Sequence, residues 1–127
     1  MTGNEMRALV ESYFAAVDGE EFDAVSATMH ADCRFSIATH GVNLEGIEQI
    51  GQMLQRLWRN HKAVAHLEFN HVADPDNGMI ATRFQVRNTH HDGAIAHKSN
   101  CNFFKIIDGK FAEISVYMAG DNTLDID

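Results

Sequence analysis

Met6, Leu9, Val10, Tyr13, Phe14 and Val17 recur at intervals of three and four residues, the single apolar stripe of an amphipathic helix. Thr2, with Glu5 three residues on, predicts a capping box at its start. Phe22, Val25 and Met29 share one face of a second, shorter helix. Asp18 ahead of it, with Glu21 following, is placed as its N-cap. After His30-Ala31-Asp32 the alternation of Cys33, Phe35 and Ile37 reads as a strand. Ile47, Ile50, Leu54, Leu57 and Trp58 then predict a third helix ending near Asn60.

The second half of the chain changes period. Asn77-Gly78, Asp92-Gly93 and Asp108-Gly109 tolerate positive φ at both central positions, which a tight two-residue hairpin requires. The stretches between them, rich in Phe, Val, Ile and Thr, predict four long antiparallel strands from about Val64 to Ala119. On the second, Phe84 and Val86 oppose Arg83, Gln85 and Arg87. On the third, Asn100, Asn102, Phe104 and Ile106 oppose His97, Ser99, Cys101, Phe103 and Lys105. On the last, Ile114, Val116 and Met118 oppose Glu113, Ser115 and Tyr117. Such mixed faces fit a sheet with helices on its concave side and a second copy of the chain on its convex side. A curved sheet covered by helices leaves a pocket, the expected seat of function.

Composition narrows the class. A chain of 127 residues is one domain, residues 1–127, burying roughly 65–70% of its unfolded surface. A net charge of −8 argues against nucleic acid, whose phosphates need a basic face. No apolar run approaches the roughly 18 residues of a membrane span. The polar stretch from Met1 to Arg7 lacks a secretory signal. Cys33 and Cys101, without metal spacing, read as buried free thiols, so a cytoplasmic location is expected. The acidic end from Asp121 to Asp127 reads as a solvated tail. Eight histidines are the one surplus. His90-His91 reads as exposed beside a turn. His66 and His71, five apart, fall on opposite faces of a strand. No pair has HxxxH or HxH spacing, so no metal is expected. No glycine-rich phosphate loop is present, so no nucleotide or other cofactor is expected.

The order helix, helix, strand, helix and four-stranded meander ending in Asp108-Gly109-Lys110 resembles the nuclear transport factor 2-like superfamily. Tyr13-Phe14-Ala15-Ala16-Val17-Asp18, Phe22-Asp23 and His30-Ala31-Asp32 resemble the opening of its SnoaL-like polyketide cyclase and ketosteroid isomerase branches. Asp18, with His66-x-x-x-Asn70 and His97-Lys98-Ser99-Asn100 downstream, resembles the scytalone dehydratase branch. The resemblance implies an α+β fold. It is a cone-shaped α+β barrel, or cystatin-like roll, with three N-terminal helices packed on a curved, mainly antiparallel sheet. It also implies a small hydrophobic, aromatic or polyketide-like ligand and a cofactor-independent lyase, isomerase or cyclase. A non-catalytic ligand-binding or dimerisation module of the same fold is the alternative.

Residue by residue, the isomerase comparison places Tyr13 and Asn102 where two donors meet a developing oxyanion. That branch's general base falls at Ala38 or its neighbours Ile37 and Thr39, none of which takes a proton, so its reaction is not expected here. The dehydratase comparison places Asp18 where an acid orients a catalytic histidine, His66 at that histidine, and Asn100 at a substrate-binding asparagine. Lys98 stands where that branch has serine, and Ala38 where it has a pocket tyrosine. Its second histidine falls at Thr89 or His90.

The candidate set is therefore His66, Asp18, Tyr13 and Asn102 as catalytic groups. Asn100, His30, Phe35, Phe84, Phe104 and Val116 are the substrate-lining residues. Each has a structural reading beside it: Tyr13 as a core phenol, Asp18 as a cap, His66 as a hydrogen-bonded structural histidine, His30 as a surface residue. Leu67 and Phe69 leave the facing of the His66 strand open. Two amides on one strand face, Asn100 and Asn102, are costly to bury without a partner.

Overall fold

Thr2 and Glu5 do form a capping box: Glu5 N–H donates to Thr2 Oγ1 at 3.1 Å and Thr2 N–H to Glu5 Oε1 at 2.8 Å. They open α1 (Gly3–Asp18) in the computed structural model, which describes residues 1–124. The elements that follow are α2 (Phe22–Ala27), β1 (Met29–Ile37), β2 (Val42–Glu45), α3 (Gly46–Asn60), β3 (Ala63–Asp74), β4 (Met79–Thr89), β5 (Ile95–Ile107) and β6 (Lys110–Tyr117). They make one α+β unit: three helices on a six-stranded sheet of order β2-β1-β6-β5-β4-β3. Among the described residues only β1 and β6 pair in parallel; the other ladders are antiparallel. The sheet stays open, with β2 and β3 as its edges.

Along β4 and β5 the burial alternates strictly. Ile80, Thr82, Phe84, Val86 and Asn88 are buried on one strand, and Asn100, Asn102, Phe104 and Ile106 on the other. The apolar stripe of α1 and the Ile50, Met53, Leu54 and Leu57 face of α3 cover this inner surface. The Trp58 indole N–H donates to Val17 O at 2.9 Å and ties α3 to the end of α1.

Several expectations change in three dimensions. Met29 begins β1 rather than closing α2. Asp18 is the last residue of α1, and the residue ahead of α2 is Glu21, which makes no side-chain cap. The short strand β2, invisible in the pattern, pairs with β1. Of the three turn dipeptides only Asp108-Gly109 has both residues at positive φ, 51° and 77°. Asn77-Gly78 closes a 3₁₀ turn over Pro75–Asn77, and Asp92-Gly93 sits in a longer loop held by the His90 N–H to Ala94 O bond. Cys33 is buried, but Cys101 lies on the outer face and is half-exposed. His90 is half-buried, its ring 5.5 Å from that of His61.

The largest correction concerns β3. Its register against β4 slips between Leu67 and Asn70, with Glu68 at a φ of 56°. This β-bulge inverts the alternation. Val64 and His66 face inward before it, and Phe69, His71 and Ala73 after it. His66 and His71 therefore share the inner face, and the exposed Leu67 no longer competes with Phe69 for it.

The β3–β4 turn is sterically exacting at Gly78. Its φ is 66°, and a Cβ built there lies 2.7 Å from Ile106 O, while Gly78 O accepts the Ile106 N–H at 2.8 Å. Gly78→Ala is expected to cost at least about 1–2 kcal/mol from the left-handed backbone alone. Urea unfolding measures this, and an unchanged midpoint refutes it.

Candidate active site

Asp18 carries its carboxylate at the C-terminal end of α1, the negative end of the helix dipole, so it needs donors to settle there. His66 on β3 supplies two. Its backbone N–H donates to Asp18 Oδ2 at 2.8 Å, and its ring Nδ1 meets Asp18 Oδ1 at 2.5 Å. The His66 side chain is 10% exposed and that of Asp18 25%. A carboxylate only accepts, so Nδ1 carries the hydrogen and Nε2 keeps a bare lone pair in the neutral ring. The ring stacks on Phe14, centroids 4.6 Å apart at 29°, and leans on Phe84.

Nε2 belongs to a side chain that lines a cavity between helices and sheet. Apolar walls come from Phe14 and Val17 of α1, Met53, Leu54 and Leu57 of α3, and Phe35, Val64, Phe84, Val86 and Val116 of the sheet. Polar groups are few: Tyr13, His66, Asn88, Asn100 and Asn102, with Thr123 at the C-terminal edge. No Lys, Arg, Asp or Glu contributes to the lining among the described residues. Space open to water centres is about 40 Å³, room for about three waters. Met118, Thr123 and Leu124 complete the wall.

That segment corrects a further expectation. Lys98 Nζ donates to the carbonyls of Ala119 and Asp121, and the His40 ring bonds Gly120 O. Residues 121–124 thus fold back on the domain rather than trailing into solvent. The remainder of the expected acidic tail, 125–127, lies outside the described residues.

The structure brings most of the sequence-derived set together. Tyr13, Phe35, His66, Phe84, Asn100, Asn102 and Val116 all line the cavity, with Asp18 behind His66. Two do not join. His30 points to an outer groove, where its ring bonds Ile107 O at 2.6 Å, because β1 starts before it and alternation turns it outward. Phe104 is fully buried but lies behind the wall, tilted against Phe111 and edge-on to Tyr13. Asn88 is the residue missed. It shares the parity of Phe84 and Val86, so the alternation alone placed it inside. At the late-β4 position Thr89 alternates outward, and Asn88 is the group that faces in.

The amides differ in satisfaction. Asn100 Oδ1 accepts the Ala119 N–H at 3.1 Å. Asn102 Oδ1 has no partner, and Asn88 has none at either side-chain atom, among the described residues. Among those residues also, no group of three His, Cys, Asp or Glu is placed to hold a metal. No helix there is long and apolar enough to cross a membrane.

With this geometry in hand, comparison decides the family: residues 3–117 match the SnoaL-like domain. The chain belongs to the SnoaL-like family. Solved structures agree on the fold. A candidate polyketide cyclase from Xanthomonas campestris pv. campestris superposes with TM-score 0.83 at 18% identity, covering 91% of this chain and 90% of that one. A Catenulispora acidiphila protein with a ketosteroid isomerase-like fold, complexed with trimethylamine, gives 0.76 at 14% identity over 86% and 83%. TerC, co-crystallised with polyporic acid, gives 0.78 at 12% identity over 90% and 91%. No curated protein matches the sequence.

Two buried neutral acids in this SnoaL-like domain set its alkaline limit. Burial pushes the Cys33 thiol from 9.0 up to about 12, with the Asp32 charge adding to it. Burial, then Cys33 and Asp18, raises the Tyr13 phenol above its ordinary 10.0. The unfolded chain loses these protons first, so their stabilisation is complete below about pH 9 and falls as pH rises toward the folded values. Urea midpoints measured from pH 7 to 11 should decline above pH 9, less steeply in Cys33→Ala. A flat profile contradicts this.

Proposed function

We propose that this protein is a cofactor-independent enzyme that removes a proton next to a carbonyl of a small apolar or aromatic, polyketide-like compound, completing an isomerisation, elimination or ring closure. The observation that carries it is the Asp18–His66 pair at 2.5 Å opening onto a cavity whose described lining is otherwise without charge. Asp18 fixes the ring and its tautomer, and compensates the imidazolium that forms when Nε2 takes a proton. Tyr13, whose phenol burial raises further above its ordinary 10.0, is a donor at neutral pH. Tyr13 and the Asn102 amide donate to the oxygen that gains charge, a role worth about 3–4 kcal/mol per well-placed donor. Asn100 positions the ligand. A wall whose described residues include no Lys or Arg favours a neutral molecule over a phosphate or carboxylate. The candidate cyclases and the polyporic acid complex among the structural neighbours support the ligand class.

Hydrogen–deuterium exchange at the carbon next to the carbonyl, followed by NMR over a panel of aryl ketones and hydroxyquinones, tests this. Exchange above the buffer rate is expected, with His66→Ala lowering it by about 10²–10⁴ while ligand affinity changes only a few fold. Binding without any His66-dependent exchange instead makes the protein a non-catalytic carrier.

We also propose a homodimer through the outer sheet face. Phe103 and Tyr117, with rings 5.8 Å apart, are 44% and 43% exposed there, diagonal to one another on β5 and β6. Light scattering at micromolar concentration should give twice the chain mass, and Phe103→Asp should halve it. A wild-type monomer rules the dimer out.

A further inference from the structure

Asn88 is 1% exposed and faces the cavity, yet neither its Oδ1 nor its Nδ2 has a hydrogen-bond partner among the described residues. A buried amide with both atoms unpaired is rare in folded proteins, because water is lost at both with nothing in return. The ladder sets its neighbours: Val64 lies opposite Asn88 and His66 opposite Val86, so Asn88 is diagonal to His66 on the inner face. Diagonal side chains of an antiparallel pair are about 7–8 Å apart, within reach of one small ring between them.

We propose that Asn88 is a specificity-determining residue that reads a ligand edge carrying a hydrogen-bond acceptor beside a donor. Lactams and other cis-amides have such an edge, as do enolised diketones. Nδ2 donates to the ligand carbonyl and Oδ1 accepts from the adjacent N–H or O–H. Bound this way, the ligand lies against the same wall as His66. The inference rests on the reading of this cavity as the ligand site and adds the chemical class of the ligand. It does not require turnover.

The test uses 2-quinolinone, a planar lactam, and 1-methyl-2-quinolinone, the same ring with the donor removed. Calorimetric titration of the full chain should show the lactam binding at least about tenfold tighter. In Asn88→Leu the preference should shrink to within twofold, and His66→Ala should retain it. Without ligand, Asn88→Leu should raise the urea midpoint, because an apolar group of similar size replaces an unpaired amide. Asn88→Ala, which adds no bulk, should lose the preference as well. Equal affinity for the two quinolones, failure of both to bind, a preference that survives in either Asn88 variant, or a lower midpoint in Asn88→Leu overturns the proposal. A lactam preference without proton exchange leaves it standing and removes only the catalytic reading.

Discussion

The join between α1 and β3 organises this molecule. Asp18, on the last turn of the helix, accepts both the backbone and the ring N–H of His66. Two turns earlier on the same helix, Glu11 bonds His71 Nε2 at 2.9 Å, while His71 Nδ1 bonds Thr82 Oγ1 at 2.8 Å. Two carboxylate–histidine contacts thus pin one helix to one strand, with Phe14 and Phe69 stacked between them. Both contacts depend on the bulge at Leu67–Asn70. Without the extra residue, His66 and His71 would fall on opposite faces, and one of them would leave α1 for solvent. Glu68 bears a left-handed backbone to make this possible, a strain of roughly 1–2 kcal/mol for a residue with a Cβ.

The two histidines look alike but are poised differently. Both nitrogens of His71 are bonded, so its ring is a brace. One nitrogen of His66 is committed to Asp18 and the other belongs to a ring that lines the cavity. A ring held at one nitrogen, stacked on Phe14 and kept from bulk water is oriented before any ligand arrives, which is the main structural requirement of a general base.

The cavity is also where the fold is least self-satisfied. Elsewhere on the inner face the polar groups Thr82 and His71 are bonded; here Asn88 and Asn102 keep unpaired atoms, each buried orphan costing about 1–3 kcal/mol. A domain of this size has only about 5–15 kcal/mol of net stability, so these amides are a substantial liability for packing alone. Both line the same cavity as His66, the kind of local conflict between stability and polarity that marks a ligand site.

Helices α1 and α3 and the meander of β3 to β6 were legible because each is written in local period: 3.6 residues for the apolar stripes, two for the strands, and glycine where the chain turns back. Parity alone put Phe84, Asn100, Asn102 and Val116 on the inner surface, and the same parity marks Asn88. The resemblance to SnoaL-like proteins singled out Asp18 and His66. Local pattern could not reveal that Asp18 would leave its expected cap for a strand 48 residues away, that a bulge would reverse the second half of β3, or that β1 would begin early enough to turn His30 outward. Those outcomes depend on which partner a polar group finds once the chain is compact, and on a single inserted residue that flips every side chain after it. Local period is enough to set the layers and the buried faces of β4, β5 and β6; the facing of β3, the start of β1, and which buried polar groups are satisfied or left open to a ligand depend on contacts made only in the compact chain.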